Sequence, residues 1–393
     1  MAVNRMILNE TSYFGKGAIQ EVANEAKMRG FKKALVVTDK DLLKFDVATK
    51  VTAILDEAEL SYEIFDGIVP NPSIEDVQAG VKACQAAEAD YIVAIGGGSP
   101  IDTAKAIGII MTNPDFSDVI SLEGVAETKK PSLPILAVPT TSGTAAEVTI
   151  NYVITDKANQ RKFVCVDPHD IPIVAFVDSD MMMGMPTALC AATGMDALTH
   201  AIEGFITKGA WEMSDMLHIK AIGIIGHALR DSVAGDQEAR EKMALGQYIA
   251  GMGFSNVGLG LVHGMAHPLS AWYDTPHGVA CATLLPLIMD FNKEYTGEKY
   301  REIAVAMGVE GAVDMSLAEV RNAAVQAVKQ LGRDVGIPQS LTELGMKEED
   351  VQKIAEDAFR DVCSPGNPRD ATLEEIIDLS LIHISEPTRP EPI

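Results

Sequence analysis

The sequence is poor in positive charge. Its 393 residues contain 32 Lys and Arg against 56 Asp and Glu, which gives a formal net charge of −24 at pH 7. A negative field of this kind repels nucleic acid backbones and anionic membrane surfaces. We therefore expect neither nucleic acid nor a membrane as a partner, and a small molecule remains as the expected ligand.

Cysteine is scarce and shows no paired spacing. The five cysteines form no C-x-x-C pair, and their number is odd. Neither a disulfide framework nor a zinc-thiolate site is indicated. This pattern is typical of a protein in the reducing cytoplasm.

The sequence also shows no pattern typical of a secretory signal or of a membrane-spanning segment. The first residues lack the charged start and long apolar stretch of a secretory signal, so the mature chain is expected to begin at or near Met1. The most apolar window, residues 251–273, contains Asn256, His263 and His267, which are costly to bury in lipid. We interpret it as a buried helical core segment that holds a site.

The length and the 47% of apolar residues indicate two or three folded domains. In residues 1–185, strand-like runs at 33–39, 61–66, 90–98 and 133–141 alternate with helical patterns, which predicts an α/β domain with a mostly parallel sheet. In residues 186–380 the patterns are helical, at 187–206, 214–233, 237–253, 316–332, 347–359 and 372–381. Residues 381–393, with three prolines in the last seven positions, are predicted to be a non-native tail, similar to a translated adapter sequence.

A glycine-rich loop follows one of the predicted strands. Gly96, Gly97 and Gly98 end the strand, and glycines allow a ligand to approach the backbone closely. Ser99 is predicted to cap the next helix, with Pro100 at its first position, and free N–H groups at such a helix start bind a pyrophosphate. The alternative is a plain strand-to-helix turn, since the sequence is neither a Rossmann G-x-G-x-x-G nor a Walker A loop.

Two further strand ends carry polar groups. Thr140, Thr141 and Thr144 lie in a loop after the strand at 133–141, and two such loops at one sheet edge are where ligands of open α/β sheets bind. Asp39, at the end of the strand at 33–39, could accept hydrogen bonds from a ribose diol and repel a 2′-phosphate, which would favour NAD over NADP. Asp39 could equally be a helix cap.

Histidines and a carboxylate form the strongest signal. Asp196 and His200, and again His263 and His267, are spaced i and i+4, which places each pair on one helix face, and His277 follows. One carboxylate with neutral imidazoles suits Zn²⁺ or Fe²⁺, and five groups exceed the four of a closed tetrahedral site, which leaves one for chemistry. We assign the remaining histidines of interest to hydrogen-bonded core positions; they are His169, His218 and His227.

These motifs resemble those of the iron-containing (group III) alcohol dehydrogenases, from Asn4 to about Leu379. The resemblance implies a dinucleotide-binding domain at 1–185 and a helical metal and catalytic domain at 186–380. It implies NAD(H) with Fe²⁺, or Zn²⁺ as the alternative, and interconversion of a small aldehyde and alcohol, above all lactaldehyde and 1,2-propanediol, by a cytoplasmic homodimer.

The same resemblance assigns roles to individual residues. Metal ligands fall on Asp196, His200, His263 and His277, which leaves His267 near the nicotinamide or substrate as a proton relay, and Phe254 lines a substrate pocket. The cofactor contacts that it implies are Asp39, Asn71, Gly97, Gly98, Ser99, Thr140, Thr141, Thr144, Asn151 and Lys162.

The chain departs from close relatives at two positions after His277. The resemblance implies Asn and His where this sequence has Cys281 and Leu287. Neither position is among the implied ligands, so we expect metal binding to persist with altered tuning by the neighbouring groups.

Three other functions stay open on the sequence. A dehydroquinate-synthase-like lyase shares the fold type, but it must hold a phosphate and a carboxylate with Lys or Arg, and residues 196–206 and 253–280 contain neither. A zinc-dependent glycerol dehydrogenase differs in metal and substrate. A metal-stabilised nucleotide-binding protein would bind NAD(H), but no alcohol or aldehyde would change the cofactor's absorbance.

Overall fold

The computed structural model describes residues 3–385, and the chain divides into two compact units, 1–185 and 186–393. The first unit contains eight strands and five α-helices among the described residues. The strands are β1 (Thr11–Phe14), β2 (Lys33–Val37), β3 (Ser61–Phe65), β4 (Tyr91–Gly96), β5 (Ile135–Pro139), β6 (Asn151–Asp156), β7 (Arg161–Val166) and β8 (Val174–Val177). The helices are α1 (Glu21–Met28), α2 (Lys40–Lys44), α3 (Ala48–Glu57), α4 (Ile74–Ala87) and α5 (Gly98–Thr112).

Six of these strands form one parallel sheet in the order β1-β8-β5-β4-β2-β3. Strand β4 is buried along its whole length, and β2 and β5 are apolar on both sides, as expected of central strands covered by helices. Helices α1 and α3 pack on one face of the sheet, and α4 and α5 pack on the other. The prediction of an α/β domain with a mostly parallel sheet is confirmed.

An antiparallel hairpin, β6 with β7, was not predicted. Its strands alternate between buried and partly buried residues, which is the pattern of a half-buried antiparallel strand. Strands β1 and β8 were also missed, because each has only four residues.

The second unit is helical throughout its described residues. Its helices are α6 (Thr187–Ile206), α7 (Glu212–Val233), α8 (Gln237–Val257), α9 (Leu261–Tyr273), α10 (His277–Asn292), α11 (Lys299–Ala306), α12 (Leu317–Asp334), α13 (Val351–Arg360) and α14 (Leu373–Ser385). One large apolar cluster joins them. No helix in the described residues is long and apolar enough to span a bilayer.

Two stretches of this unit differ from the sequence expectation. The apolar window 251–273 is divided between the end of α8 and all of α9, because Gly258 adopts a φ of 85° and ends α8. Residues 381–385 continue α14, and Leu381 and Ile384 pack against the helical core. The remainder of the predicted non-native tail, 386–393, lies outside the described residues.

Candidate cofactor loops and metal centre

The glycine loop and the threonine loop leave neighbouring strands at the same edge of the sheet. Gly96 and Pro139 are partners in the β4–β5 register, and the backbone N–H of Thr140 donates to the carbonyl of Gly96 at 2.9 Å. A parallel sheet brings the carboxyl ends of adjacent strands together, which is where such sheets bind ligands. The two loops therefore lie close together, as expected.

The two loops also touch. A Cβ atom on Gly97 would lie 3.1 Å from Thr141 Cγ2, and one on Gly98 would lie 3.1 Å from Thr144 Cγ2, so both positions favour glycine. Helix α5 begins at Gly98 with Gly97 as its N-cap, so the prediction that Ser99 caps the helix is wrong. The reason is that Gly97 is already extended, at φ −78° and ψ −154°, which leaves Ser99 in the first turn. The N–H groups of Gly98 and Ser99 open this turn and suit an anionic group.

Asp39 follows β2 and acts as the N-cap of α2. Its side chain accepts a hydrogen bond from the backbone N–H of Leu42 at 2.8 Å. Asp39 is therefore a helix cap, which is one of the two roles that the sequence allowed. It is compatible with a ribose contact, because a carboxylate accepts several hydrogen bonds.

Asn71 and Lys162 are brought into direct contact. Lys162 Nζ donates to Asn71 Oδ1 at 2.7 Å, and Asn71 has a left-handed φ of 58°. Asn151 lies elsewhere on the hairpin: it pairs with Val166, four residues from Lys162 along β7 and thus about 13 Å away along the strand. Of these three predicted cofactor-binding residues, the structure therefore brings Asn71 and Lys162 together but not Asn151.

The charge at Asp39 gives a testable prediction about cofactor choice. Asn caps a helix as well as Asp does, so Asp39→Asn removes the negative charge and preserves α2. We expect the KM for NADPH to fall by about tenfold, equivalent to ~1.4 kcal/mol, as measured by initial rates with each cofactor. Asp41→Asn, two residues after Asp39 in the first turn of α2, is the matched control, and an equal gain there would refute a specific role for Asp39.

The predicted metal ligands converge within the helical unit. Asp196 and His200 lie one turn apart on α6, His263 lies in the first turn of α9, and His277 begins α10. His277 Nε2 is 3.8 Å from Asp196 Oδ1. The ligand atoms of one group all lie within 4.8 Å of one another; its members are Asp196, His263, His277 and Cys281. His200 lies next to this group, with its ring stacked on His263 at a centroid distance of 4.7 Å.

Glu203 was not predicted, and it orients His263. It lies on α6 seven residues after Asp196 and is 2% exposed. Its carboxylate contacts His263 Nδ1 at 2.6 Å and accepts the backbone N–H of Val262 at 2.7 Å. Because Gly260, the N-cap of α9, has no side chain to offer, Glu203 caps α9 from the neighbouring helix. A Cβ on Gly260 would lie 2.9 Å from Glu203 Oε1, which explains the glycine.

This arrangement presents His263 as a metal ligand. Burial lowers the pKa of His263 to about 3, so the imidazole is neutral. Burial also raises the pKa of Glu203 to about 7, against the backbone N–H groups of Val262 and His263, and its carboxylate form accepts a hydrogen bond from the Nδ1–H group of His263. The other nitrogen, Nε2, is buried and has no hydrogen-bond partner among residues 3–385. A neutral imidazole with an orphaned lone pair, beside a carboxylate and a second imidazole, fits a divalent transition metal.

His267 is held by a second carboxylate that the sequence did not reveal. Its Nδ1 is 2.8 Å from Asp361 Oδ2, just after α13, and Cys363 N–H donates to Asp361 Oδ1 at 2.8 Å. Burial raises the pKa of Asp361, but the charge and hydrogen bond of His267 outweigh it, so the pKa is lowered overall. The carboxyl is therefore ionised, it can only accept, and Nδ1 of His267 carries a proton.

The remaining site predictions are also located. Phe254 on α8 stacks on His200 at a centroid distance of 4.2 Å, so it borders the cluster. Cys281 joins the cluster, whereas Leu287 packs against the apolar core of the helical unit. Of the two carboxylates that were not predicted, Glu203 could have been found from its spacing at i+7 from Asp196. No feature of the sequence around Asp361 indicates its role.

The assignment of three histidines to hydrogen-bonded core positions is fully correct for none of them. His218 is fully buried, but neither of its ring nitrogens has a hydrogen-bond partner among residues 3–385. His227 lies on the same helix, α7, nine residues later, and nine residues turn the helix by about 180°, so it is exposed. His169 is partly exposed and contacts Thr128 Oγ1 at 2.9 Å.

Comparison with known proteins gives a consistent result over both units. A family model described as iron-containing alcohol dehydrogenase matches residues 9–179, and one for the C-terminal part of the Fe-containing alcohol dehydrogenase family matches residues 190–382. The chain is 65% identical over 376 residues to lactaldehyde reductase of Escherichia coli K12, which covers 96% of this chain and 98% of that protein. It is 42% identical over 377 residues to 1,3-propanediol dehydrogenase of Citrobacter freundii, covering 95% and 97%.

A solved structure agrees with this result. The alcohol dehydrogenase from Oenococcus oeni superposes with a TM-score of 0.94 at 38% identity, covering 97% of this chain and 100% of that one. With family models matching both units and relatives similar along nearly the whole length, the chain belongs to the iron-containing alcohol dehydrogenase family.

Proposed function

We propose that this protein is an NAD-dependent and iron-dependent oxidoreductase that interconverts lactaldehyde and 1,2-propanediol. The observation that carries the proposal is the buried cluster of one carboxylate and imidazoles, in which Glu203 orients His263 and Asp361 orients His267. The 65% identity to a lactaldehyde reductase supports this substrate pair over other small alcohols.

Asp196, His200, His263 and His277 would hold the metal. When bound, a divalent metal would supply a Lewis acid for the substrate oxygen, and NAD(H) would supply the hydride chemistry at the carbinol carbon. The chain's contribution is to keep His263 neutral and aimed by Glu203, so that no protonation competes with ligation.

His267 is proposed as the group that moves the alcohol proton. Its Nδ1 proton is retained by the ionised Asp361, which leaves Nε2 as the nitrogen that takes up and releases a proton. Its ring lies 5.3 Å from that of His277, so it stands next to a proposed ligand. Phe254 covers His200 with an apolar ring, which helps to keep water from the site.

The cofactor would bind at the carboxyl edge of the parallel sheet. The helix start at Gly98 and Ser99 suits the pyrophosphate, and Thr140, Thr141 and Thr144 supply hydroxyl groups beside it. Asp39 suits the ribose diol. The pair Asn71 and Lys162, together with Asn151, completes the proposed set.

The experiment that tests the proposal is NADH consumption with lactaldehyde. The protein is prepared anaerobically without metal and reloaded separately with Fe²⁺ and Zn²⁺. We expect turnover with Fe²⁺, because the family is iron-containing and four hard or borderline ligands accept this ion. The control is the metal-free protein, for which no turnover above background is expected.

The other outcomes separate the alternatives. Turnover with Zn²⁺ alone would favour an enzyme similar to a glycerol dehydrogenase. Binding of NADH without any turnover would favour a nucleotide-binding protein without catalysis, and loss of NADH binding would contradict the cofactor site itself.

We further propose that the enzyme works as a homodimer in the cytoplasm. The support for the dimer is the family resemblance, and the support for the cytoplasm is the odd number of cysteines without paired spacing in the sequence.

A further inference from the structure

Cys281 lies where a further metal ligand would lie. It follows His277 by one helical turn on α10 and is fully buried. Its Sγ is 3.6 Å from His277 Nε2 and lies within 4.8 Å of the ligand atoms of Asp196 and His263 as well. The sulfur thus belongs to the same cluster as three of the proposed ligands.

A second, independent observation points to a ligand at this place. His263 belongs to this cluster and is 2% exposed, and its Nε2 atom has no hydrogen-bond partner within the described range 3–385. An orphaned imidazole nitrogen in a buried polar cluster is costly unless something occupies its lone pair. The thiol of Cys281 therefore lies in a cluster in which the Nε2 atom of His263 already needs a partner that accepts its lone pair, such as a metal ion.

The distances fit a shared metal ion. A Zn–S bond of about 2.3 Å and a Zn–N bond of about 2.05 Å at a tetrahedral angle separate the two donor atoms by about 3.6 Å. The observed separation of Cys281 Sγ and His277 Nε2 is 3.6 Å. The two atoms can therefore reach one ion without a change in the course of α10.

We propose that the thiolate of Cys281 is a further ligand of the metal ion that Asp196, His200, His263 and His277 would hold, and that it shifts the selectivity of the site from Fe²⁺ towards Zn²⁺. The inference rests on the metal site of the proposed function. On ligation the thiol proton leaves to solvent and the sulfur electron pair forms the bond to the metal. No oxidant or reductant takes part.

The selectivity follows from the softness of the ligands. Carboxylate and imidazole alone accept Fe²⁺ and Zn²⁺, whereas thiolate is a soft ligand that favours zinc. In the isolated enzyme, zinc should therefore compete with iron for this site more strongly than it would at a site made of three imidazoles and a carboxylate alone.

The decisive measurement is the absorption spectrum of the cobalt-substituted protein. Cobalt(II) replaces zinc with similar geometry, and a bound thiolate adds a sulfur-to-cobalt charge-transfer band in the near ultraviolet to the visible ligand-field bands. We expect this band in the unaltered protein and in Cys190→Ser, and we expect its loss in Cys281→Ser and Cys281→Ala. Cys190 is the matched control because it is equally buried in the helical unit and contacts Ser232.

Metal affinity provides a second readout. Competition with a chromophoric chelator should show that Cys281→Ser weakens Zn²⁺ binding by at least about tenfold and weakens Fe²⁺ binding less. The ratio of the two losses measures selectivity without any assay of turnover, and circular dichroism of each variant establishes that it is folded.

Several results would overturn the inference. Ligand-field bands without a charge-transfer band would show that the metal site exists and that Cys281 does not bind the ion. A band lost in Cys363→Ser but kept in Cys281→Ser would assign the sulfur to the neighbouring group of His267, Asp361 and Cys363. A protein that binds no cobalt at all would refute both this inference and the proposed metal site.

Discussion

Replacing His263 by Ala should remove the metal and abolish turnover while NADH still binds. His263 contributes a neutral Nε2 atom from within the first turn of α9, and its loss leaves Glu203 without its imidazole partner. We expect the metal content after dialysis to fall to background, as measured by atomic emission, with a drop in kcat of several orders of magnitude. NADH fluorescence titration should give an unchanged Kd, because the proposed cofactor loops lie in residues 1–185.

Glu203→Gln provides a graded test of the same arrangement. The amide oxygen can still accept the N–H of Val262, but the amide offers one acceptor oxygen where the carboxylate offers two, so Nδ1 of His263 loses its acceptor. Loss of such a partner weakens metal binding by roughly 10- to 100-fold, so we expect a measurable Kd between those of the unaltered protein and His263→Ala.

His218→Asn is the matched control for both variants. His218 is a fully buried histidine on α7 whose pKa burial lowers to about 3, as for His263, but it is not part of the metal cluster. Metal content should be retained in this variant. If His218→Asn lost the metal as fully as His263→Ala, the loss would reflect general loosening of the helical unit and the ligand assignment would be wrong.

The sequence predicted the framework of the molecule because strong local patterns specify it. Helix α6 occupies the predicted residues 187–206, and β2, β4 and β5 lie inside predicted apolar runs. The hairpin β6–β7 was missed because its strands are half-buried, and an alternating pattern is weaker than a continuous apolar run.

The site was predictable to the extent that its groups follow helical spacing. Asp196 and His200, and His263 and His267, stand out because polar groups in apolar helices are rare. Glu203 continues the first series at i+7, although nothing in the sequence indicates that its carboxylate caps α9. Asp361 is 94 residues away from His267 and reaches it only through tertiary packing, so sequence reasoning could not find it.

Replacing His267 by Ala should depress turnover strongly while the metal stays bound. His267 is proposed to move the alcohol proton through Nε2, and removal of a group with this role costs 10²- to 10⁴-fold in rate. We expect kcat for 1,2-propanediol oxidation to fall within that range, with metal content and NADH binding unchanged. Added imidazole should restore part of the lost rate, because the truncated side chain leaves room for it.

Asp361→Asn tests the orientation of His267 separately from its proposed role in proton transfer. An amide in place of Asp361 removes the charged acceptor that fixes the proton on Nδ1 of His267, so Nε2 is no longer held as the proton-free nitrogen, and the rate falls by less than in His267→Ala. The pH profile of kcat should change in Asp361→Asn, a response that mere loosening of the helices would not produce. His277→Ala is the contrasting variant, since it should lose metal together with activity. If His267→Ala also lost its metal, His267 would be a ligand and the proton relay would have to be assigned to another group.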